Sequence, residues 1–262
     1  MEVKFIKASP TENMTLLIET PVAREKQLAV AERLIAYGSV YAEQAGYIEE
    51  AENPAAEKRL QMMAGEFCGN ASLSLAAWLA QKKNLQIGEK TEITLEVSGA
   101  EALVRCEMKR EAEHRFLGRV AMPLPQTIEK RAFTLDGERI ELTAVVFAGI
   151  THILVPASLW GENAAKKAEH AARVWAKELP PVFGLLLFDE KEKSLKPLVA
   201  VGDVSLIWER GCGSGTSAVG AYLAAREKKD VTVSLKQPGG VMHATVSYQN
   251  GAVTKIEITG SV

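Results

Sequence analysis

The sequence predicts a mixed α/β (α+β) chain made of two similar lobes, each a sheet wrapped around one central helix. Three observations predict it. Strand-like and helix-like patterns alternate along all 262 residues. A short motif at Cys68 returns at Cys212, 144 positions further on, just over half the chain. The stretch after each motif is small or apolar on every side for about three turns, which marks a buried helix.

The elements follow in order. VKFIKA and MTLLIE read as a strand pair around the polar turn 9–13. Residues 22–37 carry apolar positions at helical spacing, and TEITLEV, ALVRCEM and RFLGRVAM alternate as strands. MPLPQT, with Pro123 and Pro125, breaks the pattern and reads as a linker, which divides the chain into lobes at 1–124 and 125–262, with the last strand returning to the first lobe. Beyond it RIELTAVV and THILVPA read as strands and NAAKKAEHAARVWAKEL as an amphipathic helix. VFGLLLFD, VTVSLK, HATVSYQ and KIEITGS read as further strands, with tight turns at Pro238-Gly239-Gly240 and Asn250-Gly251. The uncharged run 142–161 has the length of a membrane span. Gly149, His152 and Pro156 within it favour two buried strands around a turn.

Composition excludes several classes. The formal net charge is -2, which gives no electrostatic footprint for nucleic acid or an anionic membrane. The start, MEVKFIKAS, lacks the apolar stretch of a signal peptide. Three cysteines in a chain this long form no disulfide framework, and a reducing cytoplasm is the expected setting. No CxxC or HExxH spacing points to a metal.

The self-match carries the chemistry. CGNASLSLAAWLA from Cys68 aligns without a gap on CGSGTSAVGAYLA from Cys212. Cysteine, glycine, a hydroxyl residue (Ser72, Thr216), Ala77 and Ala221, an aromatic (Trp78, Tyr222), leucine and alanine coincide. A lone cysteine ahead of an alanine-rich helix is usually a small buried hydrophobe. Two at one phase of a repeated motif argue otherwise. A helix N-terminus offers unpaired N–H groups and partial positive charge, suited to a carboxylate. The same field is expected to lower a cysteine pKa. Two such thiols around one carboxylate suit proton removal from the adjacent carbon on one face and delivery on the other. Cys106 lies in an alternating strand with no glycine nearby and reads as structural.

These residues resemble a known superfamily. Phe67-Cys68-Gly69-Asn70-Ala71 resembles the first cysteine motif of the diaminopimelate epimerases, Cys-Gly-Asn-Gly. Residues 209–218, ERGCGSGTSA, resemble the second cysteine motif of the proline racemases, Asp-Arg-Ser-Pro-Cys-Gly-Thr-Gly-Thr-Ser-Ala. Within that superfamily the pattern is similar to the histidine racemases of staphylopine-type metallophore pathways. The matching stretches are Asn13-Met14-Thr15, Glu43 to Glu49 (EQAGYIE), Ala64 to Ala71 (AGEFCGNA), Leu186 to Glu190, Leu206 to Thr216 and Gln237 to Gly240. Departures from the diaminopimelate epimerases fall at Ile150, where they carry asparagine, and at Met62 and Met63 ahead of the first cysteine. An apolar residue there leaves a second amino-acid head group unsatisfied, which favours an imidazole. Arg210-Gly211 stand where the histidine racemases carry Asn-Ser.

The resemblance implies the diaminopimelate epimerase-like fold: two pseudo-symmetric lobes with curved, mostly antiparallel sheets and the active site in the cleft between them. It implies a cofactor-independent, two-base amino-acid racemase with Cys68 and Cys212 as acid and base, no cofactor and no metal. The N–H groups of Gly69, Asn70, Gly213 and Ser214 are the expected carboxylate cradle, with Gly215 and Thr216 continuing the turn. Asn13, Glu43, Gln44, Glu209 and Arg210 are the expected substrate contacts. The expected partner is a small amino acid, with no nucleic acid or membrane and with a homodimer left open. A diaminopimelate or proline-type epimerase and a non-catalytic binding protein on the same fold stay open as alternatives. His152 and His243 read as satisfied structural histidines. Trp208 reads as either a pocket wall or core.

Overall fold

The computed structural model describes residues 2–202 and 205–262. The chain divides into two compact units: Met1–Met122 with Glu257–Val262, and Pro123–Ile256.

The first unit runs β1 (Phe5–Ala8), β2 (Thr15–Ile18), α1 (Arg24–Ile35), β3 (Gln44–Glu49), β4 (Lys58–Met62), α2 (Gly69–Lys82), β5 (Lys90–Val97), β6 (Val104–Ala112) and β7 (Arg115–Ala121). Its strands pair in sequence order. The end of β16 (Ala252–Ser261) closes it, with Glu257 opposite Ala121 and Ser261 opposite Leu117. Two of the pairs are parallel, β2 with β3 and β4 with β5. A parallel pair needs a crossover long enough to return the chain, and α1 and α2 supply the two crossovers.

The second unit adds an edge strand, β8 (Thr127–Leu135), and then repeats the programme. It runs β9 (Glu138–Val146), β10 (Thr151–Pro156), α3 (Ala164–Trp175), β11 (Val182–Asp189), β12 (Ser194–Val201), a short β13 (Ser205–Trp208), α4 (Gly213–Glu227), β14 (Val231–Gln237) and β15 (Gly240–Gln249). Again two pairs are parallel, β10 with β11 across α3 and β12 with β14 across α4. The run 142–161 is therefore two strands, β9 and β10, antiparallel around a turn. Asn250 and Gly251, at φ 52° and 83°, turn β15 into β16 in the left-handed region that such a two-residue hairpin demands.

The two motif helices are the buried ones. Nearly every residue from Gly69 to Ala80 is buried, and likewise from Gly213 to Ala224. Their hydroxyls cost little inside, because each bonds a carbonyl one turn back: Ser72 to Cys68, Ser74 to Asn70, Thr216 to Cys212 and Ser217 to Gly213. At the start of α2 a Cβ on Gly69 would stand 2.8 Å from the Met122 sulfur and 3.1 Å from Ile258 Cδ1, so glycine lets these two side chains pack closely on the helix start. The other core of the second unit gathers on α3. Trp175 is fully buried beside Phe133 and donates from Nε1 to the Thr134 carbonyl.

Trp208 belongs to that core, not to a pocket wall. It packs on the cluster around Trp175 and donates to Glu169 Oε1 at 2.9 Å. Met62 is fully buried, and Met63 packs on the cluster formed by α1, β2 and β3. The pairing of β4 turns Met62 into core, while Met63, just past the strand, is partly buried. No helix among the described residues is long and apolar enough to cross a membrane.

Candidate active site

Each motif cysteine is the N-cap of its helix. Cys68 has extended backbone (φ -132°, ψ 113°), and so has Cys212 (φ -114°, ψ 109°). Each sulfur accepts the third N–H of the helix, from Ala71 at 3.4 Å and from Gly215 at 3.3 Å. Each cysteine carbonyl accepts the fourth, from Ser72 and from Thr216, both at 3.0 Å. Sulfur thus takes the place of the usual serine or aspartate oxygen. The sulfur and the carbonyl of each cysteine thus take the third and fourth N–H groups, and Gly69-Asn70 and Gly213-Ser214 form the first turn at each helix mouth. Gly215 and Thr216 are committed to Cys212 itself.

Around Cys68 the first unit assembles one polar chain. The register of β2 on β3 sets Thr15 beside Gln44. Gln44 Nε2 donates to Thr15 Oγ1 at 2.9 Å and to Asn13 Oδ1 at 2.6 Å. Asn13 Nδ2 donates to Glu43 Oε2 at 2.8 Å. The Cys68 thiol donates to Gln44 Oε1 at 2.9 Å. Asn13, Glu43, Gln44 and Cys68, 55 positions apart in sequence, are therefore one network.

Around Cys212 the second unit assembles another. The Cys212 N–H donates to Gln237 Oε1 at 2.8 Å, and Gln237 Nε2 donates to Thr216 Oγ1 at 2.7 Å. Gln237 begins the Gln-Pro-Gly-Gly turn, which gives that turn its part in the site. Ser214 Oγ lies 3.5 Å from the Cys212 sulfur and 2.9 Å from His152 Nε2. Glu209 is held at the end of β13 by its own N–H on the Pro197 carbonyl. Arg210 is exposed, and its Nη2 reaches the Pro238 carbonyl at 3.4 Å.

The expectation that the helix mouth lowers the thiol pKa fails at Cys212. Burial pushes this thiol well up, and the Glu209 carboxylate beside it adds to the rise by charge and by hydrogen bond. The Ser214 and Gly215 bonds pull the other way and lose. Desolvation of a thiolate at 3 % exposure outweighs one or two N–H dipoles. Cys106 is structural as expected. It is fully buried, its sulfur lies 3.9 Å from the Ser72 carbonyl, and burial pushes its thiol up.

Two residues escaped the sequence reading. Gln237 was legible only as part of a turn. His152 was expected to be a satisfied structural histidine, but it is fully buried, touches Ser214, and leaves Nδ1 without a partner among the described residues. His243 does read as structural, exposed and bonded to Ser234 Oγ at 2.7 Å. Among the described residues no cluster of His, Cys, Asp and Glu has the makings of a metal site.

Residues 2–262 match the family described as the histidine racemase CntK N-terminal domain. The chain belongs to this histidine racemase family. A histidine racemase from Fusobacterium nucleatum subsp. nucleatum is 32% identical over 243 residues, covering 90% of this chain and 86% of that protein. A second histidine racemase, from Staphylococcus aureus, is 27% identical over 267 residues, covering 97% and 93%. Two solved structures share the fold. A probable proline racemase from Agrobacterium radiobacter K84 with bound carbonate superposes with a TM-score of 0.74 at 16% identity, covering 100% of this chain and 91% of that one. A hydroxyproline epimerase from Agrobacterium vitis with bound trans-4-hydroxy-L-proline gives 0.70 at 14%, covering 100% and 90%. This member of the histidine racemase family is an isomerase with a racemase/epimerase fold.

Proposed function

We propose that this chain interconverts L- and D-histidine, with Cys68 and Cys212 as its two acid–base groups and no cofactor. The observation that carries the reading is that one device is built twice. In each unit a cysteine caps a buried helix, with its sulfur on the third N–H and its carbonyl on the fourth.

One sulfur, as thiolate, takes the α-proton. The other, as thiol, delivers a proton to the opposite face, and the sulfurs exchange roles for the reverse direction. The α-hydrogen of an amino acid is weakly acidic, so the carbanion charge must be met as it forms. The N–H groups of Gly69, Asn70, Gly213 and Ser214 are the proposed donors that stabilise it on the carboxylate. Cys68 starts as a donor because Gln44 offers it a carbonyl oxygen. Burial, helped by the Glu209 carboxylate, keeps Cys212 a thiol in the free protein, so it becomes the base only after giving its proton to a neighbour, and the hydrogen-bonded Glu209 carboxylate is the group placed to take it. Asn13, Glu43, Glu209 and Arg210 remain for the ammonium and the imidazole. By the family resemblance, the D-histidine would serve an opine-type metallophore synthase in the cytoplasm.

The test is incubation with a panel of L-amino acids in deuterated water, following α-hydrogen loss by NMR and optical rotation. Histidine is expected to exchange and to racemise. Cys68→Ala and Cys212→Ala are each expected to abolish racemisation. No exchange with any amino acid, or full activity in either variant, ends this reading.

A further inference from the structure

His152 has no part in the scheme above, yet it is built into the Cys212 network. It lies in β10 with no exposed surface. Phe147 meets the ring edge-on, with centroids 6.4 Å apart. Its register partner in β11 is Gly184, where a Cβ would stand 2.4 Å from Nδ1 and 2.8 Å from Cε1. The β11 backbone is therefore pressed close against that edge of the ring. Among the described residues Nδ1 has no hydrogen-bond partner. Nε2 has one, Ser214 Oγ at 2.9 Å, and that oxygen lies 3.5 Å from the Cys212 sulfur.

The chemistry then has one economical arrangement. A buried N–H without an acceptor is rarer than a buried bare acceptor, so the ring proton belongs on Nε2. Nε2–H donates to Ser214 Oγ. A hydroxyl has a single hydrogen. With His152 occupying a lone pair, that hydrogen turns to the sulfur.

We infer that His152 is a positioning residue for Cys212: its Nε2–H orients the Ser214 hydroxyl to donate to the sulfur and steady its thiolate form. The inference rests on reading Cys212 as an acid–base group. The relay itself transfers no proton. Cys212 exchanges its proton with the α-carbon, while the hydroxyl and the imidazole keep theirs. The charged group acting on Cys212 from its own segment is Glu209, which opposes the thiolate. The serine bond is the counterweight. Among the described residues no charged group shifts the imidazole. Burial alone pushes it down to about 3, so it stays neutral wherever the enzyme works.

The test has two readouts. In 15N-histidine-labelled protein, a long-range 1H–15N spectrum is expected to show His152 neutral and protonated at Nε2 from pH 5.5 to 9, its signal identified by its loss in His152→Phe. In kinetics, His152→Phe is expected to lower kcat about tenfold and to move the acid limb of the pH profile up by about one unit. His152→Gln, whose side-chain amide still donates, is expected to restore most of both. Ser214→Ala is expected to match His152→Phe, and the double variant to go no further. An Nδ1–H tautomer, or a Ser214→Ala profile superimposed on that of the parent protein, overturns the relay. The tautomer reads the same whatever the substrate, so this failure is separate from failure of the racemase reading.

Discussion

Gln44 and Cys68 are joined by one 2.9 Å bond whose direction is set at the far end of a chain. Glu43 is a carboxylate and only accepts, so Asn13 must give it Nδ2. Asn13 is left with Oδ1 facing Gln44, and Gln44 must give Nε2 to it and to Thr15. The Gln44 carbonyl oxygen is what remains for the sulfur, and a carbonyl holds a thiol rather than a thiolate.

Gln44→Glu tests that ordering. The new carboxylate keeps an acceptor beside the sulfur but loses the two donated bonds. Negative charge there raises the Cys68 pKa. In the direction for which Cys68 is the base, the acid limb of kcat/KM is expected to move to higher pH, and the rate at pH 7 to fall about tenfold or more. A pH–rate profile checks both, and an unshifted limb would detach Gln44 from Cys68.

Glu209→Gln should act in the opposite sense. The carboxylate beside Cys212 helps to hold its thiol up. A neutral amide removes that charge, so the Cys212 pKa falls and the acid limb moves to lower pH. The position of the limb is the measurement, since Glu209 is also a candidate substrate contact and the height of the profile will drop as well.

Stability should carry the mark of His152. Its imidazole sits near 3 in the fold against an ordinary 6.5, so the unfolded chain binds a proton that the folded one refuses. The stability is complete above about 6.5 and is lost as pH falls toward 3. Urea unfolding is expected to show about 2 kcal/mol lost from this group between pH 6.5 and 5. His152→Phe is expected to abolish that component, leaving a flatter pH dependence.

Gly184→Ala should be costly for a one-carbon change. The added methyl would meet the rigid imidazole at 2.4 Å and 2.8 Å, neither of which can bend away inside the core. A loss of about 1–3 kcal/mol is expected from overpacking. Gly149→Ala is the control, since nothing lies within 4 Å of its added carbon and the melting temperature is expected to hold.

Much of the fold was legible because it rests on local patterns. The strands of Lys90–Val97, Arg115–Ala121 and Val231–Gln237 alternate cleanly, and both buried helices announce themselves by having no polar face. Other strands were hidden for physical reasons. Thr127–Leu135 is an edge strand with charged residues on its open side. Ser194–Val201 contains Pro197, which argues against a strand, yet its carbonyl accepts the Glu209 N–H and so fixes that glutamate.

The sequence alone determined that there are two cysteine turns, that each starts a buried helix, and that the chain repeats itself. Those facts live in residue types at short spacing, where helix geometry decides everything. Tertiary structure decided what surrounds each sulfur. Gln44 reaches Cys68 through the register of a parallel strand pair, and Gln237 and His152 reach the Cys212 network from strands 25 and 60 positions away. Tertiary structure also decided the charge on Cys212. A helix mouth favours a thiolate, but desolvation and a neighbouring carboxylate are properties of the packed core, and there they are the larger effect.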